Sequence, residues 1–207
     1  MSEHKPKGLF IVLYGTNGIG KTTQALKLLI KINNINADKK GIAYYMKFPD
    51  YDLPPTGPRI NDYLREGNPK QLTPEQFQEL CAKNRRDAEP RIKALLNKGC
   101  VVIAEDWTYG GIVWGIATGL TEKKAREMNK DFLKEDIAIL LDGKPFTEGK
   151  EDGHTHEKNS KLLYDVKKQY LLMAYEEGWP MVLANRKEKD VHLDIWNIVS
   201  PMLTQSQ

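Results

Sequence analysis

The chain has 207 residues, 40% hydrophobic and 29% charged, with a formal net charge of +3, which suits one sizeable soluble domain. A charge so small and dispersed argues against a polybasic nucleic-acid surface, and two cysteines, Cys81 and Cys100, are too few for a disulfide framework. The opening "MSEHKPKG" has no apolar signal core and no run approaches the roughly 20 apolar residues of a membrane span, so the expectation is a soluble cytoplasmic protein with reduced thiols.

In chain order, "LFIVLYG" (9–15) reads as a buried strand and is followed by a helical pattern over 21–34. "GIAYYMKF" (41–48) is a second strand candidate, followed by helical stretches over 57–66 and 73–97. The latter opens on Thr73 as N-cap, Pro74 in the first turn and Gln76 at the capping-box position. "CVVIAED" (100–106) is the third strand, with a helix expected over 121–134. "DIAILLDG" (136–143), a helix over 158–177 and "PMVLANR" (180–186) complete the series. The strand runs are nearly continuous in hydrophobicity, as expected when helices cover both faces of a parallel sheet. The alternation predicts an α/β fold of three layers, a doubly wound five-stranded parallel sheet in a single domain over 1–207. "DGKPFTEGKEDGHTHEKN" (142–159) is glycine-rich and charged, and reads as a mobile loop excursion.

The first strand ends in Gly15-Thr16-Asn17-Gly18-Ile19-Gly20-Lys21-Thr22, which satisfies G-x-x-x-x-G-K-[ST] between a strand and an amphipathic helix. Glycines let backbone N–H groups turn inward, and the helix N-terminus adds its dipole to the anion site. This phosphate loop, with Thr23 after it, predicts ATP binding. Lys21 is expected at the β/γ-phosphates, and the Thr22 hydroxyl at Mg²⁺. The guanine signature of a GTPase is missing: in "NRKEKD" (185–190), Arg186 stands where lysine belongs and Asp190 is misplaced.

Beyond the loop, four segments stand out: "KFPDY" (47–51), "GPRINDYLREG" (57–67), "AKNRRDAEPRI" (82–92) and "VVIAEDWTYGGIVWG" (101–115). In order and spacing the chain resembles the thymidylate kinase family of P-loop nucleoside-monophosphate kinases over most of its length. The segments correspond to that family's F-P-x-R, G-x-x-I-x-x-Y/F-L, A-x-N-R and D-R-Y stretches. "HEKN" (156–159) falls at the family's short lid, and "ANRKEKDVHLDI" resembles its final strand, turn and helix beside the adenine. The resemblance implies transfer of the ATP γ-phosphoryl group to a deoxynucleoside monophosphate, dTMP first, and a homodimer. It places Asn185 and Arg186 beside the donor, and Phe48, Tyr51, Arg85 and Phe77 at the acceptor.

The chain departs from the family pattern where charge matters. Tyr51 and Asp106 stand where the family has arginines, Asn17 where it usually has an acid, and Cys81 where it has a stacking aromatic, with Phe77 one turn earlier. Arg59, Arg85, Arg86 and Lys47 are candidates to supply the missing positive charge, Arg59 for the acceptor phosphate. A deoxynucleoside kinase acting on an unphosphorylated acceptor is the alternative enzyme, and a nucleotide-binding regulator the non-enzymatic one. Glu105 ends a strand at the carboxyl edge where ligands bind, and is expected at the metal with Thr22 or at the acceptor. Asp50 is a second such carboxylate. Tyr109, on a Gly-Gly turn, is favoured over Trp107 and Trp114 for a base pocket. Lys150 and Lys158 are candidate cations of a lid over about 143–159, with Lys158 a catalytic candidate. His154 and His156 read as solvated, and no zinc is assigned.

Overall fold

The structure is a computed structural model that describes residues 8–35, 43–146 and 160–205. Five strands, β1 (Leu9–Tyr14), β2 (Ala43–Lys47), β3 (Val101–Glu105), β4 (Ile137–Asp142) and β5 (Met181–Leu183), form one sheet in the order β2-β3-β1-β4-β5. Every pairing is parallel. The helices are α1 (Lys21–Ile35), α2 (Thr56–Arg65), α3 (Pro74–Asn97), α4 (Thr108–Ala117), α5 (Glu122–Met128), α6 (Ser160–Glu177) and α7 (Glu188–Gln205).

The sheet is covered on both faces, which explains why its central strands are nearly continuous apolar runs, broken only by Glu105 and Asp142 at the carboxyl ends of β3 and β4. Phe10, Val12, Tyr14, Val102, Ala104 and Leu140 point into a core shared with Ile92 of α3, Val113 of α4 and Val166 and Tyr170 of α6. The alternate residues Leu9, Ile11, Leu13, Ile103, Ile139 and Leu141 meet Leu28 and Ile32 of α1 and Ile195 and Val199 of α7. Full burial of each large aliphatic side chain contributes about 1.5–3 kcal/mol, so β1, with all six residues buried, anchors both layers. A third, smaller cluster joins α2 to α3 through Ile60, Leu64, Phe77, Leu80 and Cys81. There the rings of Tyr63 and Phe77 stack 3.8 Å apart.

The expected capping box is present: Thr73 Oγ1 accepts from the Gln76 N–H at 3.2 Å, and the Gln76 side chain accepts from the Thr73 N–H at 2.9 Å. Two helical expectations need correction. The helix expected over 121–134 ends at Met128, because the Asn129 side chain turns back to donate to the Ala125 carbonyl at 2.8 Å. The Gly-Gly turn expected after β3 is instead the body of α4, which buries Gly110, Gly111, Ile112 and Val113; tertiary packing outweighs the weak helical tendency of paired glycines. Residues 147–159, which carry Lys150, Lys158, His154 and His156, lie outside the described residues, as do residues 41 and 42 of the second strand candidate.

Candidate active site

Because the strands are parallel, their carboxyl ends share one edge, and the loops after β1, β2 and β3 converge there. A cavity of about 650 Å³ opens at that edge, lined at one end by Asn17 to Gln24 and at the other by Phe48, Tyr51, Phe77, Arg85 and Trp114. Such crevices beyond the carboxyl ends of an open parallel sheet are where ligands bind in this class of fold.

The phosphate loop follows β1, and α1 begins at Lys21. Gly18 and Gly20 adopt φ of 71° and 93°, left-handed values that other residues reach only at a cost. The loop is backed by the segment after β4, where the Phe146 N–H donates to the Gly18 carbonyl at 2.9 Å. Lys21, buried at 7% exposure, donates to the carbonyls of Gly15 at 2.6 Å and Thr16 at 3.1 Å. Its ammonium also lies 3.4 Å from Asp106 Oδ2.

β1 and β3 bring Thr22 and Glu105 together. The Thr22 hydroxyl, exposed to the cavity, donates to Glu105 Oε2 at 3.0 Å, and the Tyr45 hydroxyl donates to Glu105 Oε1. Asp106 takes the left-handed φ of 55° and its Oδ1 accepts from the Tyr170 hydroxyl at 2.8 Å. Desolvation, and next the Asp106 charge, push the Tyr170 hydroxyl well above its usual range, so it stays a donor. The arginine position of the resembling family is thus occupied by an anion held between Tyr170 and Lys21.

At the far end, Arg85 is 3% exposed. Its Nη2 donates to Asn129 Oδ1 at 2.7 Å, while its buried Nε has no hydrogen-bond partner within the protein. Desolvation lowers its pKa, but a guanidinium stays charged. Gly111 permits this placement: a Cβ there would meet Arg85 Nη2 and lie 2.9 Å from Asn129 Oδ1. The neighbouring Asn84, fully buried, holds the loop after β2 by accepting from the Asp50 N–H at 2.8 Å and donating to its carbonyl at 2.9 Å. It also donates to the Thr56 hydroxyl at 2.9 Å.

Of the residues expected at the site, Asn17 to Thr23, Phe48, Tyr51, Phe77, Arg85, Glu105, Asp106 and Arg186 line the cavity, and Lys47 joins them. Six do not reach its wall: Gly15 and Thr16, whose carbonyls accept from Lys21, and Tyr109, Arg59, Asp50 and Asn185. Tyr109, in the first turn of α4, packs edge-on to Trp179 at 4.7 Å and to Tyr14 at 6.0 Å; Trp114, one helical face away, lines the cavity in its place. Arg59 is exposed on α2, whose inward face carries Thr56, Gly57, Ile60 and Leu64. The Asp50 carboxylate is used locally, accepting from the Asp52 N–H at 3.1 Å. Asn185 ties the loop after β5 to the loop after β4, donating to the Lys144 carbonyl at 2.9 Å and accepting from the Lys144 N–H at 2.5 Å. Arg86 lies over the Phe132 ring at 4.8 Å. Arg65, which no motif singled out, lies 5.7 Å over the Tyr51 ring.

Comparison with known proteins places these observations in a family. A family model described as thymidylate kinase matches residues 13–195. Thymidylate kinases of Plasmodium falciparum and Schizosaccharomyces pombe are each 30% identical, over alignments that cover 94% of this chain and 91% and 92% of theirs. The solved structure of the thymidylate kinase from Candida albicans superposes with a TM-score of 0.79 at 22% identity, covering 97% of this chain and 94% of that one.

Proposed function

The chain belongs to the thymidylate kinase family, and on that premise we propose that it phosphorylates dTMP to dTDP with ATP as donor and Mg²⁺ as cofactor. The observation that carries the proposal is one cavity running from a glycine-rich phosphate cradle to a buried arginine with an unpartnered N–H, with Lys21 and the Thr22–Glu105 pair between them.

The residues present fit the donor and its metal. The loop offers backbone donors and a helix N-terminus to phosphate. Thr22 and Glu105 offer hard oxygen atoms, and among the described residues no group of three or more His, Cys, Asp or Glu is placed to hold a metal by itself. That is the pattern suited to Mg²⁺, which takes one or two protein ligands and completes its shell with phosphates and water. When bound, the cation would neutralise charge developing on the phosphate oxygens.

For the rest, the protein works by positioning. Lys21 lies within the loop, ready to place its ammonium beside transferred charge. Arg85 places its guanidinium at the acceptor end of the cavity, and Phe77 and Trp114 supply apolar walls for a base. Phe48 and Tyr51 border the entry for the acceptor phosphate, with Lys47 among the available cations. Arg186 faces the donor end. The same proposal includes a lid over about 143–159, a homodimer and a cytoplasmic setting; sedimentation of the purified chain checks the dimer.

Chromatographic identification of products from ATP, Mg²⁺ and dTMP tests the reaction. Equimolar dTDP and ADP support it, whereas ADP with dTMP unconsumed contradicts it.

A further inference from the structure

Glu105 is 2% exposed, and a buried carboxylate is tolerable only where its oxygens are hydrogen-bonded. Both oxygens have a donor, and the donors come from different elements. Thr22, in the first turn of α1, donates to Oε2 at 3.0 Å. Tyr45, on β2, donates to Oε1.

The strand register explains the second contact. β2 and β3 pair in parallel with Tyr45 opposite Ile103 and Lys47 opposite Glu105. Tyr45 is therefore two residues back along its strand, on the α1 side of the sheet where it packs with that core. Its phenol spans the distance forward to the carboxylate. Tyr45 is not part of the cavity wall, and its hydroxyl reaches the carboxylate beside the Thr22 hydroxyl, which is also within its hydrogen-bonding range.

This arrangement constrains the hydroxyl that faces the cavity. Two donors on two oxygens fix the rotation of the carboxylate about its own axis. With the Thr22 proton committed to Oε2, what that hydroxyl presents to the cavity is its lone pairs. Resting on the assignment of Thr22 and Glu105 to the cation, we propose that Tyr45 is a positioning residue for the divalent-cation site. It holds Glu105 so that Thr22 is oriented as a ligand, and touches neither cation nor nucleotide. Residues of this kind, one step behind a metal ligand, typically change metal affinity 10–100-fold when removed.

The experiment uses the full chain with ADP and follows Mn²⁺ binding by electron paramagnetic resonance in wild type, Tyr45→Phe and Glu105→Gln. Binding of metal-free ADP in the presence of a chelator and the thermal midpoint are measured on each. Tyr45→Phe is expected to weaken Mn²⁺ binding about 10-fold, with metal-free ADP affinity close to wild type and a thermal midpoint lowered, because one oxygen of a buried carboxylate loses its donor. An equal loss of metal-free ADP binding would overturn the inference, because Tyr45 would then support the sheet edge. Unchanged Mn²⁺ binding in Tyr45→Phe with weakened binding in Glu105→Gln would also overturn it and leave the cation site standing. Unchanged Mn²⁺ binding in both variants would remove the cation assignment itself, and the inference with it.

Discussion

The two ends of the cavity are built differently. The donor end is mainly backbone from one contiguous stretch, Gly15 to Thr22, closed behind by the Phe146-to-Gly18 hydrogen bond. The acceptor end is made of side chains from β2, α3, β3 and α4 that meet only because the sheet brings their ends together. A cradle of N–H groups depends on conformation, so the donor end tolerates little change. Side chains can be exchanged singly, and there the chain carries Tyr51, Asp106 and Cys81 where the sequence resemblance leads one to expect two arginines and an aromatic ring. Replacements at the two ends should therefore separate kinetically, each raising KM for its own substrate.

The largest effect is expected at the boundary between them. Lys21→Ala removes the ammonium held 3.4 Å from Asp106, and steady-state assays should show kcat reduced about 10²-fold or more. Near wild-type turnover would mean that the loop does not serve transfer.

Gly111→Ala forces a methyl group against Arg85 and Asn129. An increase of about tenfold in acceptor KM is expected, with donor KM unchanged, in bisubstrate kinetics. Equal changes in both constants would erase the division of the cavity.

Asn84→Ala removes three hydrogen bonds from a fully buried side chain and frees the loop after β2. Calorimetry should show a loss of about 1–3 kcal/mol, or about 2–4 °C in thermal midpoint per kcal/mol for a chain of this size. The corresponding Asn185→Ala, whose two bonds to Lys144 are exposed, should cost less than about 1 kcal/mol and act on donor KM.

The smallest effect lies behind the site. Glu135 accepts from the Tyr14 hydroxyl at 2.9 Å through Oε1, and its Oε2 is buried without a partner. Burial raises its carboxyl above the ordinary range. A raised folded-state value means that the contribution is complete below the unfolded value, about pH 4.3, and is lost as pH rises through the folded value. Glu135→Gln should therefore gain stability relative to wild type as pH rises, in urea unfolding at acidic and neutral pH. A constant difference across pH would show that Glu135 is not the titrating group.

The strands and the phosphate loop were readable because each is a local pattern: an apolar run covered on both faces, or glycines at fixed spacing before a lysine. The position of α4 was not, because Gly110 and Gly111 argue against a helix until Arg85 and Asp106 are seen to require the space. That misplacement exchanged Tyr109 for Trp114, since the two point to different sides of the same helix. Asn84, Asn129, Tyr45 and Tyr170 escaped notice for a related reason. Each acts on a partner at least 28 residues away in the chain, and no spacing rule connects such pairs. Asp106 was visible as an anomaly, but its partners Lys21 and Tyr170 emerge only from the fold.

The direct test is turnover of dTMP against thymidine by the wild-type chain, followed by ADP release with Mg²⁺ and ATP at matched acceptor concentrations. Membership of the family, and a cavity in which Arg85 and Lys47 face the acceptor end, lead to ADP release with dTMP and little with thymidine. Turnover of thymidine without turnover of dTMP would contradict the account, and would assign the anion at Asp106 to an acceptor that carries no phosphate.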